Sequence, residues 1–254
     1  PVSKHHLTIQ FLKSLKRLRP PATMLAPPWN LSLVLQALGE APFEPIHSCE
    51  MKYLTWKLCL LLAVTSGRRV SELQALSCQE PYCTIRTRSA ILRTVPEFLP
   101  KASSNWHCSQ VVELESFYPD PTSNLERGYH RLCVVRCLKW YLKRTRSIRK
   151  SNHLFVLYGR NKLGLSASKD SLARWITSCI KEVYSIMGVQ LSFPPKSHST
   201  RKVAATWAEF MTCPLPEILR ACLWASHGTF VRFYKLDKFP SNFGSSVLRA
   251  GAGL

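Results

Sequence analysis

The chain has 254 residues, 46% of them hydrophobic, so it can bury a sizeable core in one large domain, with or without an appendage. Lys and Arg together number 35 against 15 Asp and Glu, which gives a formal net charge of +20. So basic a chain favours a polyanionic partner, because each phosphate that is neutralised releases counterions. Charge alone does not exclude a ribosomal or membrane-surface protein, and it does not indicate whether the chain is an enzyme.

Segments that would point to a membrane or to secretion are missing from the sequence. The longest apolar run, Leu58 to Val64, is far shorter than the ~20 residues that a membrane span needs. The first residues contain Lys4 and two histidines but no long apolar stretch of the signal-peptide kind. We therefore expect a soluble, intracellular protein with no membrane partner.

Ten cysteines are scattered through the chain, mostly isolated and without a C-x-x-C pair. Cys133 and Cys137 lie one helical turn apart in an amphipathic segment, where small thiols suit a core. Reduced, structural cysteines are therefore expected, and neither a zinc site nor another metal or cofactor is.

The first 45 residues differ in character from the rest. An apolar stripe flanked by basic residues predicts a basic amphipathic helix over 7–17. Prolines then interrupt regular structure at 20–21 and 27–28, and a short helix over 31–38 ends at Gly39. We interpret residues 1–45 as an N-terminal helix and linker.

The main domain is predicted over residues 46–237. Cys49 to Val64 is apolar nearly all round, which predicts a central buried helix that Gly67 ends. Short strands are expected within 82–91 and 111–114, joined by a turn-rich connection. Helical spacing returns over 129–146 and 171–187, the first with these residues inward: Val134, Val135, Leu138, Tyr141 and Leu142. The fold class predicted is therefore mainly α with a small antiparallel sheet (α+β), followed by a Gly- and Ser-rich tail over 238–254.

Three separated segments carry residues suited to phosphodiester chemistry. Arg69 stands directly before Val70-Ser71-Glu72-Leu73, and His198 precedes Arg201 by three residues, a spacing that places both on one helix face. Trp224 and Tyr234 follow further on. Arginine forks bind phosphate oxygens bidentately and stay charged, and a phenol with a pKa near ~10 needs such cations beside it to act as a nucleophile.

These three segments, in this order, resemble those of the tyrosine recombinases (integrase family). The surrounding sequence looks most like the recombinase domain of DIRS-type retrotransposons. The matching stretches are Ala41-Pro42-Phe43-Glu44-Pro45 in the N-terminal part and Thr229-Phe230-Val231-Arg232-Phe233-Tyr234 in the C-terminal part. The likeness spans about residues 40–237. It implies the catalytic-domain fold of that family and an enzyme that breaks and rejoins double-stranded DNA through a 3′-phosphotyrosine, without metal or ATP.

The resemblance also implies a role for each matched residue. Arg69 and Arg201 would hold the scissile phosphate, and His198 would contact it and help move the proton of the nucleophile. Tyr234 would be that nucleophile. Lys101, in the connection of the small sheet, would be the general acid for the leaving 5′-oxygen. Each residue also has a structural interpretation, such as a helix-end ion pair between Arg69 and Glu72.

Two positions depart from the family pattern or leave a choice. Trp224 lies where the family has His or Trp, but the ten residues from Trp224 to Tyr234 are one more than is usual. His227 is therefore an alternative donor. Arg68 stands beside Arg69, which is preferred because the family arginine directly precedes the aliphatic-Ser-Glu-Leu run.

The resemblance implies partners and a cellular location as well. The family acts as a tetramer on two DNA sites, so a homo-oligomer is expected, and a eukaryotic mobile element would act in the nucleus. The helix over 7–17 is either the tail of a DNA-clamping domain or an ordinary first helix packed on the core. Alternatives of function are a DNA-binding module that no longer cleaves and, less well matched, a type IB topoisomerase.

Overall fold

The computed structural model describes residues 2–19, 28–100, 111–224, 226–233 and 235. Its strands are β1 Cys83–Ile85, β2 Ser89–Leu92 and β3 Val112–Glu115. Its helices are α1 His6–Leu18, α2 Leu31–Leu38, α3 Met51–Ser66, α4 Val70–Gln74, α5 Asn124–Arg131, α6 Val134–Thr145, α7 Lys169–Ile186, α8 Ser199–Phe210, α9 Leu215–Ala221 and α10 His227–Phe233, with 3-10 turns at Val2–Lys4 and Arg160–Lys162. The predicted class, mainly α with a small antiparallel sheet, is confirmed.

Helix α3 lies at the centre of the main core and packs against α6, α7 and α8. Its sequence is apolar on nearly every side, and residues such as Leu54 and Leu58 are fully buried, as expected of a helix surrounded by protein. The helix ends where predicted, at Gly67, which has a left-handed φ of 62°. A Cβ at this position would lie 2.7 Å from Cys222 Sγ, so a glycine is required by both conformation and space.

The small sheet has the order β1-β2-β3 and is antiparallel throughout. Buried residues alternate with more exposed ones, so that Ala90 and Leu92 face the core with Val112 and Leu114. The stretch predicted to contain strands, 82–91, forms a hairpin whose turn is closed by the Arg86 N–H donating to Ser89 O at 2.9 Å.

The helical spacing predicted over 129–146 is confirmed for most of that range, which contains the end of α5 and the whole of α6. Between the two helices Cys133 has an extended backbone, and its Sγ accepts the backbone N–H of Arg136 at 3.4 Å and caps α6. Four of the five predicted inward residues are buried, and Leu142 is half-buried. Helix α6 keeps its apolar face inward, whereas no residue of α5 is buried.

The cysteines in the described ranges are free thiols, and most of them are buried. Burial raises the pKa of Cys137 to about 12 and that of Cys83 to about 11. These thiols therefore stay protonated at neutral pH and act as small apolar side chains.

Residues 28–236 form one compact unit, and α1 belongs to another unit. The amphipathic helix predicted over 7–17 is confirmed as α1, and its Leu7 and Phe11 are exposed. The domain boundaries at 45/46 and 237/238 stay predictions, and the tail 238–254 lies outside the described residues. No helix within the described ranges has the length and apolar character that crossing a membrane requires.

Candidate active site

Arg201 is the residue around which the candidate site is built. It lies in the first turn of α8 and is only 3% exposed. Its Nε donates to Gly67 O at 2.7 Å, and its Nη2 donates to Cys222 O. Its guanidinium carbon lies 5.3 Å from the centroid of the Trp224 ring. One side chain thus connects the end of α3, the end of α9 and the segment that follows α9.

Arg69 lies two residues beyond the Gly67 carbonyl that Arg201 contacts, at the start of α4. Its Nη1 donates to Glu72 Oε1 at 2.8 Å, and its backbone N–H donates to Glu72 Oε2 at 3.0 Å. Glu72 is buried, whereas the Arg69 side chain is 27% exposed. Glu72 therefore fixes both the backbone and the guanidinium of Arg69 and leaves part of that cation open to a ligand.

Arg68 is buried more deeply than its neighbour Arg69, at 7% exposed, and its Nη2 donates to Val111 O at 2.7 Å. Burial is the main cause that lowers the pKa of the Arg68 guanidinium; Glu72 opposes the shift, and the charge of Arg201 adds to it. Arg68 also borders a cleft of about 370 Å³, which Thr65, Ser66 and Arg220 help to line. The sequence alone had set Arg68 aside, yet its charge lies close enough to Arg201 for the two to repel.

His198 is the residue immediately before α8, and its side chain is exposed. Its ring makes no hydrogen bond within the part of the chain that the structure describes. Arg201, three residues later, is buried, so the two residues that the sequence placed on one face differ sharply in exposure. The exposed imidazole is accessible to a ligand, whereas the guanidinium of Arg201 is buried.

Trp224 is 5% exposed and stacks on Phe230, with ring centroids 5.4 Å apart and an interplanar angle of 21°. These two residues belong to a small second core with Ala205, Ile218 and Cys222. The competing residue, His227, is exposed and opens α10. Trp224 thus contacts Arg201, and the choice between Trp224 and His227 as the donor to phosphate stays a prediction.

Two proposed site residues, Lys101 and Tyr234, lie outside the described residues. Tyr234 follows the last residue of α10, Phe233, and the next residue is described again. There, Lys235 donates its backbone N–H to Phe230 O at 2.9 Å, and its Nζ pairs with Glu209 of α8 at 2.9 Å. The roles of Lys101 and Tyr234 stay predictions.

The sequence did not point to the backbone acceptors of this site. The Gly67 turn was foreseen, but a carbonyl carries no side-chain signature, so nothing indicated that Gly67 and Cys222 would hold Arg201. No three His, Cys, Asp or Glu side chains in the described ranges are close enough together to hold a metal ion. The charged and polar side chains of these segments are arginine forks and one exposed imidazole, groups that suit an anionic oxygen.

Comparison with known proteins gives matches only among solved structures, since neither a family model nor a curated protein matches the chain. One is the XerH site-specific recombinase bound to its palindromic difH substrate in a post-cleavage complex, with a TM-score of 0.56 and 15% identity. It covers 91% of this chain, and this chain spans 54% of XerH, about half its length. Another is the XerA recombinase, with a TM-score of 0.52 and 15% identity over 97% of this chain and 74% of that one. At such identities the likeness concerns the fold, and the chain has the catalytic-domain fold of the tyrosine recombinases.

Proposed function

We propose that the chain is a tyrosine recombinase that cleaves and rejoins double-stranded DNA. The observation that carries this proposal is the cluster around Arg201, which joins the turn before Arg69 to Trp224 through the contacts with Gly67 and Cys222. Residues from three segments, which the contacts of Arg201 join across 134 and 21 positions, meet in a fold shared with site-specific recombinases. The XerH structure contains DNA, and the net charge of +20 suits the same partner here.

In the proposed reaction the Tyr234 hydroxyl oxygen attacks the scissile phosphorus, and the bond from phosphorus to the 5′-oxygen breaks. His198 takes up the phenolic proton, and Lys101 gives a proton to the leaving 5′-oxygen. Arg69 and Arg201 stabilise the charge that grows on the non-bridging oxygens. A 5′-hydroxyl from another strand then attacks the 3′-phosphotyrosine and releases Tyr234, so the phosphodiester is reformed without ATP.

The finer assignment is integration of a mobile element of the DIRS retrotransposon type, by a homotetramer acting in a nucleus. It is supported by the sequence resemblance over residues 40–237. The competing function is a DNA-binding module that keeps this fold without cleaving.

Covalent trapping tests the proposal directly. The chain is incubated in EDTA with nicked suicide duplexes drawn from the DNA flanking its coding sequence, and denaturing gels compare native protein with Tyr234→Phe. We expect a protein–DNA adduct for the native chain and none for Tyr234→Phe. Tyr129→Phe, at an exposed tyrosine remote in sequence, is the matched control and should form the adduct normally.

Two outcomes would contradict the proposal in different ways. DNA retardation on a native gel without any adduct would favour the non-cleaving module. An adduct that persists in Tyr234→Phe would show that another residue is the nucleophile.

A further inference from the structure

A hydrogen-bonded connection joins Trp29, near the start of the compact unit, to the beginning of α8. Trp29 Nε1 donates to Ser199 Oγ at 2.8 Å, and Ser199 Oγ donates to Lys196 O at 2.5 Å. The indole N–H is a donor only, so the direction of the first bond is fixed, and the hydroxyl proton of Ser199 is left for the carbonyl. The bond from Trp29 thus makes Ser199 Oγ an acceptor from the indole and a donor to Lys196 O.

Trp29 is itself held rigidly. Its side chain is 2% exposed and belongs to the main hydrophobic core. The next residue, Asn30, donates its backbone N–H to Tyr184 Oη of α7 at 2.7 Å, and its side chain caps α2 by accepting from Ser32 N at 3.0 Å. The backbone and ring of Trp29 are therefore held in place where the indole N–H donates to Ser199.

The turn that receives this bond carries His198. The Ser199 N–H donates to Lys196 O at 2.9 Å, and Thr200 Oγ1 donates to Ser197 O at 2.8 Å. The residues on either side of His198 are held by hydrogen bonds, while its exposed ring makes no hydrogen bond in the described ranges. The backbone of this turn therefore fixes the position from which the imidazole projects, three residues ahead of Arg201.

We infer that Trp29 is a positioning residue for His198 in the cleavage step, acting through Ser199. This inference rests on the proposed function. Removing the indole N–H leaves the Ser199 hydroxyl free to rotate away from Lys196 O and loosens the turn. The rate of cleavage should fall more than the affinity for DNA, because positioning of a reacting group matters most in the transition state.

The test compares Trp29→Phe, which keeps an aromatic ring in the core but removes the N–H, with Trp56→Phe. Trp56 Nε1 donates to Tyr158 Oη at 3.0 Å, so the control loses a similar long-range bond elsewhere. Single-turnover cleavage of saturating suicide duplex should slow roughly tenfold in Trp29→Phe, the loss expected for one positioning hydrogen bond. It should stay near the native rate in Trp56→Phe, and the Kd for duplex should change less than about twofold in both.

A second comparison separates positioning from general loosening of the structure. In a His198→Ala background the added Trp29→Phe change should slow cleavage no further, because the group that it positions is gone. Ser199→Ala, at a half-buried position, removes the same acceptor and should reproduce the tenfold loss, which keeps the inference testable if Trp29→Phe unfolds.

Equal rates for Trp29→Phe and Trp56→Phe, or an undiminished effect of Trp29→Phe in the His198→Ala background, would overturn the inference while the proposed function stands. If the native chain forms no Tyr234 adduct at all, the proposed function fails, and the inference fails with it.

Discussion

At the scale of single residues, the candidate site is unusual for its buried cations. Arg68 and Arg201 are both nearly inaccessible, and the hydrogen bonds described above connect them to backbone carbonyls. Burying a charge is unfavourable unless hydrogen bonds replace water, and two like charges close together add repulsion. A bound phosphate would relieve that repulsion, which is the physical reason for expecting an anion here.

The choice between Arg69 and Arg68 as the phosphate-binding arginine is open to a direct comparison. We expect Arg69→Gln to slow formation of the Tyr234 adduct about a hundredfold or more, because it removes a charged donor from the transition state. Arg68→Gln should mainly lower stability, since its guanidinium holds Val111 O. The rate of covalent trapping measures the effect of each variant on cleavage, and urea unfolding measures its effect on stability. The reverse pattern, with Arg68→Gln abolishing cleavage and Arg69→Gln tolerated, would reassign the role.

At the scale of secondary-structure elements, Gly67 is the junction on which the site depends. It ends α3 in a left-handed conformation, gives its carbonyl to Arg201 and leaves room for Cys222. Gly188 supplies a natural comparison, because its φ of 63° is nearly the same but nothing lies within 4 Å of an added Cβ.

We expect Gly188→Ala to lower the free energy of unfolding by about 1 kcal/mol, the cost of the left-handed conformation alone. Gly67→Ala should lower it by about 3 kcal/mol, because the new methyl group also collides with Cys222 Sγ in a packed interior. It should slow adduct formation too, since Cys222 O holds Arg201. Urea unfolding curves measure both variants, and equal losses at the two glycines would show that the space around Gly67 adapts.

At the scale of the whole molecule, one carboxylate joins the loop before α3 to two central helices. Glu44 accepts from Lys57 Nζ of α3 at 2.5 Å and from both terminal nitrogens of Arg136 of α6, at 2.8 and 3.0 Å. The Lys57 side chain is 0% exposed, so Glu44 supplies its counter-charge in the interior. Burial opposes ionisation of Glu44, but the hydrogen bond from Arg136 and the charge of Lys57 outweigh it and keep the pKa of Glu44 below its ordinary value of 4.5.

Stability should therefore depend on pH through Glu44. Because its pKa is lower in the folded chain than in the unfolded one, its contribution is complete above about pH 5 and is lost as the pH falls through and below 4.5. Glu44→Gln should lower the free energy of unfolding by about 3 kcal/mol at pH 7, since it leaves Lys57 charged and buried. The difference between native protein and Glu44→Gln should shrink below about pH 4.5 in urea titrations.

Glu40→Gln is the matched control, because Glu40 lies in the same loop and pairs with Arg131 at the surface. It should cost less than about 1 kcal/mol, as exposed ion pairs do. A constant difference between native protein and Glu44→Gln from pH 7 to 3 would contradict the assignment.

The sequence alone determined the features that depend on local order. A stretch apolar on nearly every side located α3, helical spacing located α7, and Gly67 indicated the end of α3. The alternation of short apolar stretches indicated the small sheet. The residues of the candidate site were also predicted from it, through the resemblance of their three segments to those of the tyrosine recombinases.

Tertiary structure alone decided which of these residues meet and how each is held. The contacts of Arg201 with Gly67 and Cys222 join residues 134 and 21 positions apart, and that of Trp29 with Ser199 spans 170. The division into α5 and α6, the burial of Arg68 and the exposure of His198 were likewise invisible in the sequence. The physical reason is that periodicity and caps act within a few residues, whereas backbone carbonyls and packed side chains become partners only once the whole core has formed.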